Sequence, residues 1–303
     1  MSLPQRPRLG HYCVADVVSI TSGPLTATIA ARGAELQSLK DGAGNELMWG
    51  GDPAFWRGRA PLLFPIVGRL NGDSLRVDGQ AFAMKKHGFA RKSHFALLDS
   101  GPEDVLFRLV DSHQTRAEYP FPFELDARFH VAGATLHMTV TVRNKGDGEM
   151  PFSFGYHPAF AWPLPGGGAR GDHQIIFDVD EPSALRTLTP DGLIRADRVP
   201  TPVVDKTIAL DDALFENDAM VWDQINSHRL TYGAPGHPRL DIVFPDTPWL
   251  GIWTKPGAPY LCVEPWAGMA DPEGYMGDFR DKPGVINLAP CTEQSFEMSV
   301  TLA

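Results

Sequence analysis

The 303-residue chain is poor in cysteine and lacks long apolar runs. Its three cysteines, Cys13, Cys262 and Cys291, form no C-x-x-C pair, so neither a disulfide framework nor a zinc knuckle is predicted. No stretch approaches the roughly eighteen apolar residues of a membrane span, and residues 1–6 lack the apolar core of a signal peptide. These absences predict a soluble, cytoplasmic protein with no membrane partner.

Basic residues are scarce relative to acidic ones. The sequence has 27 Lys+Arg against 37 Asp+Glu, which gives a formal net charge of −10. Nucleic-acid phosphates and anionic membranes bind to basic surfaces. The charge balance therefore predicts neither a nucleic-acid partner nor an anionic membrane surface as partner.

Helical periodicity is hard to find, whereas period-two alternation is common. Apolar and polar residues alternate over 123–131, 136–143 and 296–302, which is typical of strands with one buried face. Asp78-Gly79 between two short alternating runs indicates a two-residue hairpin. Alternating segments continue across every turn cluster. The sequence therefore predicts an all-β fold, with residues 1–303 in a single domain built from two large sheets packed face to face.

Several well-known motifs are absent or lack their structural context. Residues 166–171 satisfy G-x-G-x-x-G, but no strand precedes them and no helix follows, so we interpret them as a loop. The chain has no G-x-S-x-G, H-E-x-x-H or Walker motif. Serine-hydrolase, zinc-protease and nucleotide-binding functions are therefore disfavoured.

Four segments place titratable side chains beside glycine, proline or aromatic residues. They are residues 65–72, 86–91, 154–160 and 262–268. Aromatic rings stack on the C–H faces of sugars, while Arg, His and carboxylates bond hydroxyl groups. Each segment alone is more often structural, but their shared composition indicates a sugar site.

These segments also carry a family resemblance. The sequences H-G-F-A-R at 87–91, F-G-Y-H-P-A-F at 154–160, N-D-A at 217–219 and C-V-E-P-W at 262–266 are similar to motifs of the aldose 1-epimerase (galactose mutarotase-like) family, most closely of its LacX-like branch. The resemblance extends from residue 33 to the last strand. It implies a large antiparallel β-supersandwich with an open cleft, and interconversion of the α and β anomers of a hexose.

That reaction explains the residue types required. A base takes the proton of the C1 hydroxyl while an acid protonates the ring oxygen, rotation about C1–C2 exposes the other carbonyl face, and the ring closes again. An imidazole and a carboxyl group are suited to this proton exchange. No metal or redox cofactor is needed.

The resemblance implies a role for each candidate residue. His157 resembles the general acid at the ring oxygen, and His87 the second histidine near that oxygen. Glu293, in the turn before the last strand, is the expected base. Glu264 is the alternative base or, otherwise, a substrate-binding residue.

Five further side chains are expected to hold the sugar. Arg69 and Asp218 are predicted to bond hydroxyl groups, and Trp266 and Phe160 to stack on the ring. Arg91 is predicted to contact the substrate as well. Arg91 would also form, together with Arg57 and Arg59, a cationic pocket for a sugar phosphate. A hexose-6-phosphate 1-epimerase is therefore an open alternative.

Two other classes of function remain open. The turn at 288–293 lacks the glycine of the family's Pro-Gly-Glu turn, which would fit a non-catalytic carbohydrate-binding protein. A glycoside hydrolase or lyase would need two carboxylates about 5–10 Å apart across the cleft. Glu264 and Glu293 are the pair that would have to satisfy this.

Overall fold

Antiparallel strands dominate the computed structural model, which describes residues 16–303. The N-terminal residues considered for a signal peptide, and Cys13, lie outside the described residues. The strands of the described part are, in chain order, β1 (Val17–Ser22), β2 (Leu25–Ala30), β3 (Glu35–Lys40), β4 (Leu62–Leu63), β5 (Ser74–Val77), β6 (Gln80–Ala83), β7 (Ala96–Ser100), β8 (Asp104–Val110), β9 (Phe123–Ala132), β10 (Thr135–Asn144), β11 (Met150–Phe152), β12 (Phe154–Tyr156), β13 (Ala159–Ala161), β14 (Gln174–Phe177), β15 (Leu185–Leu188), β16 (Ile194–Val199), β17 (Thr207–Ala209), β18 (Met220–Trp222), β19 (Arg229–Gly233), β20 (Arg239–Val243), β21 (Trp249–Trp253), β22 (Tyr260–Ala267), β23 (Ile286–Leu288) and β24 (Glu293–Leu302).

Helical structure within residues 16–303 is confined to short segments. They are α1 (His113–Glu118) and the 3₁₀ turns Asn71–Asp73, Ala90–Lys92, Arg170–Asp172, Asp212–Phe215 and Phe279–Asp281. The predicted all-β fold is confirmed. Among the described residues, no helix has the length and apolar character that a membrane span requires.

Two large sheets form the frame of the described part. One has nine strands in the order β17-β14-β19-β20-β24-β10-β9-β8-β7. The other has eight, in the order β16-β15-β18-β21-β22-β12-β4, with β13 paired to β22. Smaller sheets are formed by β1-β2-β3, by β5-β6 and by β11-β23.

The two large sheets pack against each other through aromatic side chains. The Tyr156 hydroxyl of β12 donates to the carbonyl of Phe296 in β24 at 2.8 Å. The Phe154 and Phe296 rings stack with their centroids 4.8 Å apart. Side chains of both sheets join one buried apolar cluster, so the predicted face-to-face packing is confirmed.

The alternating segments form strands as predicted. They correspond to β9, β10 and β24, which are neighbours in the nine-stranded sheet. Asp78 and Gly79 connect β5 and β6 with φ values of 53° and 72°. Because a type I′ turn needs positive φ at both central residues, this dipeptide closes the predicted hairpin.

The alternating direction of side chains along β22 determines which of them point away from the core. Leu261 and Val263 lie in the main apolar cluster between the sheets. Cys262, Glu264 and Trp266 therefore project from the opposite face, because successive side chains of a strand point to opposite sides. This outer face of the eight-stranded sheet carries the candidate site.

Candidate active site

A cleft of about 1300 Å³ opens over the outer face of the eight-stranded sheet. Segments from several strands and loops form its wall, including residues 185–199 and 214–221. Six of the predicted site residues line it: His87, Arg91, His157, Asp218, Glu264 and Trp266. The fold thus brings together side chains from distant parts of the chain.

His157 and Glu264 form a buried pair at the cleft. The His157 Nε2 atom lies 3.1 Å from Oε2 of Glu264, and the two residues are 7% and 3% exposed. They meet because His157 follows β12, which pairs with β22, the strand that carries Glu264. Both side chains therefore reach the same face of the sheet.

Burial changes the proton affinity of both partners. It raises the pKa of Glu264 well above its ordinary value, with Lys86 opposing the rise and Asp218 adding to it. Burial also lowers the pKa of His157 to about 3. Desolvation disfavours a charge on either group. Both shifts favour the uncharged forms, and at 3.1 Å the two groups are close enough to exchange one proton.

Aromatic rings surround the imidazole of His157. Trp56 stacks on it with centroids 4.8 Å apart and an interplanar angle of 24°. Trp253 approaches it edge-on at 6.2 Å, and His87 at 5.6 Å. The Nδ1 atom of His157 is buried and has no hydrogen-bond partner among residues 16–303. Packing rather than hydrogen bonding fixes the orientation of this ring.

His87 occupies a left-handed backbone conformation at the edge of the cleft. Its φ is 66°, an uncommon value for a residue other than glycine. Burial, together with the nearby His157, lowers its pKa well below the ordinary value. Such backbone strain is retained where the surrounding structure over-determines the conformation. The next residue, Gly88, helps to hold this conformation of His87 because it packs closely against Phe64. A Cβ on Gly88 would lie 2.2 Å from the Phe64 carbonyl oxygen.

Two glycines make room for the Trp266 ring. A Cβ on Gly155 would lie 2.5 Å from Cδ1 of Trp266, and one on Gly251 would lie 2.6 Å from its Cη2. Gly155 and Gly251 flank β22 on β12 and β21. The indole can therefore lie against the sheet, with one edge exposed to the cleft.

Positive side chains line the cleft although the protein is acidic. Lys86, Arg91, Arg195 and Lys255 are all lining residues. The Nε atoms of Arg91 and Arg195 are buried without a hydrogen-bond partner among the described residues. These two guanidinium groups therefore have donor capacity left for a ligand.

Glu293, the expected base, does not line the cleft. It begins β24 in the nine-stranded sheet, directly opposite Arg143 of β10. Its carboxylate accepts a 2.6 Å hydrogen bond from the Arg143 Nε and its side chain is 57% exposed. The strand register thus commits Glu293 to a surface ion pair. It does not face Glu264 across the cleft, so these two residues do not form the carboxylate pair that the glycoside-hydrolase alternative required.

Arg69 and Phe160 also lie outside the lining residues. The Arg69 guanidinium bonds Asp73 at 2.8 Å and approaches Asp191 at 3.6 Å. Phe160 is fully buried in the apolar core, because β13 turns its side chain inward. Arg69 therefore supports the loop at Asp191, and Phe160 contributes to packing.

The proposed cationic pocket is not formed by Arg57 and Arg59. Arg59 donates from Nη1 to the Gln37 carbonyl at 2.7 Å, and Arg57 is exposed outside the cleft. Of the three arginines considered, Arg91 alone lines the cleft. Lys86 belongs to the segment 86–91 noted in the sequence, whereas Arg195 and Lys255 come from segments without a sequence motif.

Sequence reasoning missed two tryptophans that contact His157. A signal for Trp253 exists, since Trp249, Gly251 and Trp253 alternate along β21 and share the face of Glu264. Trp56 belongs to a loop with no such periodicity. Its position depends on how that loop packs over the sheet.

The fold and this cleft define a galactose mutarotase-like β-sandwich protein. The chain belongs to the aldose 1-epimerase family: the family model described as Aldose 1-epimerase matches residues 16–272. The chain is 31% identical over 288 residues to the chromosomal protein LacX of Lactococcus lactis subsp. lactis, covering 92% of this chain and 96% of that protein.

Solved structures show the same architecture over nearly the whole chain. A galactose mutarotase related enzyme from Lactobacillus acidophilus is 31% identical with a TM-score of 0.88, and the match covers 95% of this chain and 97% of that one. A galactose mutarotase-like protein from Lactobacillus casei is 29% identical with a TM-score of 0.89, covering 95% and 100%. The β-supersandwich expected from the resemblance is confirmed.

Proposed function

We propose that this chain is an aldose 1-epimerase that interconverts the α and β anomers of a hexose by acid–base ring opening, without a metal or redox cofactor. The observation that carries the proposal is the 3.1 Å pair of His157 and Glu264 in the cleft. Membership of the aldose 1-epimerase family supports it. The reaction needs one acid and one base close together, because the ring oxygen and the C1 hydroxyl are bonded to the same carbon.

Glu264 is the base in this proposal and His157 the acid. With the shared proton on His157, the Glu264 carboxylate takes the proton of the C1 hydroxyl while Nε2 protonates the ring oxygen. The bond between C1 and the ring oxygen breaks as the C1 carbonyl forms. After rotation about C1–C2, Glu264 returns its proton to the carbonyl oxygen and His157 recovers the other one. The net charge of the pair stays at zero throughout, which suits a buried site.

Other cleft residues position the sugar. His87, whose ring centroid lies 5.6 Å from that of His157, bonds the ring oxygen or a neighbouring hydroxyl in this proposal. Asp218 is exposed at the cleft and supplies a carboxylate for hydroxyl groups. Trp56, Trp253 and Trp266 offer aromatic surfaces for the apolar faces of the ring.

A second candidate function is 1-epimerisation of a hexose 6-phosphate. It is favoured by the free donor capacity of Arg91 and Arg195 in the cleft. Guanidinium groups bind phosphate through charge-assisted, often bidentate hydrogen bonds. Lys86 and Lys255 add positive charge to the same wall.

Mutarotation assays test both candidates. Polarimetry on freshly dissolved α-glucose and α-galactose should show equilibration faster than the spontaneous rate, and NMR exchange spectroscopy extends the assay to glucose 6-phosphate. An Arg91→Gln, Arg195→Gln double variant should lose activity mainly on the phosphate if the second candidate holds. Sugar binding with equilibration at the spontaneous rate would contradict both candidates and indicate a carbohydrate-binding protein.

A further inference from the structure

Three different kinds of metal-ligating side chain meet at the floor of the cleft. A ring nitrogen of His157, the sulfur of Cys262 and a carboxylate oxygen of Glu264 all lie within 4.8 Å of one another. All three residues are buried, and Cys262 is a free thiol with 0% exposure. His157 and Glu264 line the cleft, so an ion can reach the cluster from solvent.

Cys262 has no part in the proposed proton exchange. It lies two residues before Glu264 in β22, so both side chains project from the same face of the sheet. It packs in a small cluster with Trp49, Ala159 and Tyr260. The thiol adds a soft ligand beside the nitrogen of His157 and the oxygen of Glu264.

We propose that His157, Cys262 and Glu264 form a binding site for a thiophilic divalent cation, Zn²⁺, whose occupation inhibits the enzyme. The inhibition rests on the proposed function, because the ion would occupy both the acid and the base. Binding releases two protons to solvent: the Cys262 thiol loses one as the sulfur–metal bond forms, and the His157–Glu264 pair loses the one it shares as the nitrogen and carboxylate bind the ion. No oxidation or reduction is involved.

The ligand set fits zinc better than other common cations. Zn²⁺ takes nitrogen, sulfur and oxygen ligands in tetrahedral geometry, often with three protein ligands and one open position. Zinc–ligand bonds of about 2.0–2.3 Å place neighbouring ligand atoms about 3.3–3.7 Å apart. The ligand atoms of His157, Cys262 and Glu264 lie within 4.8 Å of one another, so the most distant pair must approach by roughly 1 Å when the ion binds. Mg²⁺ and Ca²⁺ prefer six or more oxygen ligands and should not bind. The open position would face the cleft.

An activity experiment uses free Zn²⁺ set by a chelator buffer in the mutarotation assay. The intact protein should be inhibited, and EDTA should restore its activity. A Cys13→Ser, Cys291→Ser double variant, which keeps Cys262 as its sole thiol, should be inhibited equally. Cys262→Ser and Cys262→Ala should keep basal activity and need at least about 10–100-fold more Zn²⁺, the range seen for loss of a supporting partner of a metal site. Equal inhibition of the Cys262 variants would overturn the proposal.

A binding experiment does not depend on catalysis. Co²⁺ titrated into the protein should give a thiolate-to-cobalt charge-transfer band, which the Cys13→Ser, Cys291→Ser variant keeps and the Cys262 variants lose. Mg²⁺ in excess should not displace the cobalt. If the intact protein gave this band but had no mutarotase activity, the proposed function would be wrong and the metal site would still be supported. A band that survived in Cys262→Ala, or no band in the intact protein, would reject the site itself.

Discussion

His87 and Gly68 exchange two hydrogen bonds. The His87 amide donates to the Gly68 carbonyl at 2.7 Å, and the Gly68 amide donates to Nδ1 of His87 at 3.1 Å. Since Nδ1 accepts a hydrogen bond, the proton of the neutral ring resides on Nε2. Burial lowers the pKa of this imidazole and keeps the ring neutral. His87 therefore offers an N–H donor rather than a lone pair or a positive charge.

Two substitutions at His87 should separate its two contacts. Asn tolerates positive φ and its side-chain oxygen can replace Nδ1 as the acceptor for Gly68, but it cannot supply the Nε2 donor. His87→Asn should therefore lower kcat/KM by roughly tenfold, about the contribution of one hydrogen bond, with little change in melting temperature. His87→Gln should instead lower the melting temperature. If polarimetry gave His87→Asn the same kcat/KM as the intact protein, His87 would have no role in substrate binding.

Glu264→Gln tests the assignment of the base. The amide keeps the shape of the side chain but cannot accept the C1 hydroxyl proton, so kcat should fall by about 10²–10⁴-fold while the sugar still binds. Glu293→Gln is the matched control, because that carboxylate pairs with Arg143 on the other sheet. Calorimetric binding alongside polarimetry gives both quantities. The assignment is wrong if the control variant is the inactive one.

The activity should persist in mildly acidic solution. The pair is active with one shared proton, and it gains a second only near the depressed pKa of His157, about 3. We therefore expect kcat to stay level from pH 7 to pH 5, below the ordinary pKa of an imidazole, which is about 6.5. Initial rates corrected for spontaneous mutarotation at each pH are the measurement. A half-maximal point close to pH 6.5 would contradict a buried, neutral His157.

The same burial predicts a pH-dependent gain in stability for Glu264→Gln. The pKa of Glu264 is raised in the folded protein, so its favourable contribution is complete below the unfolded value near 4.5 and is lost as pH rises through the folded value. A glutamine at this position does not titrate, so its contribution to stability does not change with pH. The melting temperature of Glu264→Gln relative to the intact protein should increase from pH 5 to pH 8. A difference that shrank with pH would show that the carboxyl group is stabilised, not penalised, by its site.

Gly155→Ala tests the support of Trp266. The new methyl group would lie 2.5 Å from the indole Cδ1, so the ring must move. We expect KM for the sugar to rise and the free energy of unfolding to fall by about 1–3 kcal/mol, which is typical of overpacking. Gly148→Ala is the control, since a Cβ there meets nothing within 4 Å and its φ is not left-handed. Equal effects of both variants would exclude a specific role of the Gly155 contact.

Local sequence patterns predicted the β class, three long strands and one hairpin, and the motifs predicted two of the side chains that meet in the cleft. Alternation predicted β9, β10 and β24 because one face of each strand is buried, and Asp78-Gly79 predicted the hairpin because few dipeptides adopt two positive φ values. The motifs at 154–160 and 262–266 contain His157 and Glu264, which meet because their strands are direct neighbours. These features depend on residues close together in the chain or on a single strand pairing.

Only the tertiary structure shows that Glu264 lies in the cleft and Glu293 outside it. Both are carboxylates near apolar strands, and composition does not distinguish them. The register of β24 against β10 places Glu293 beside Arg143, whereas the pairing of β22 with β12 places Glu264 beside His157. Trp56 likewise reaches His157 only through loop packing. Periodicity fixes which face of a strand a side chain occupies, but the non-local pairing of strands and loops decides which faces come together.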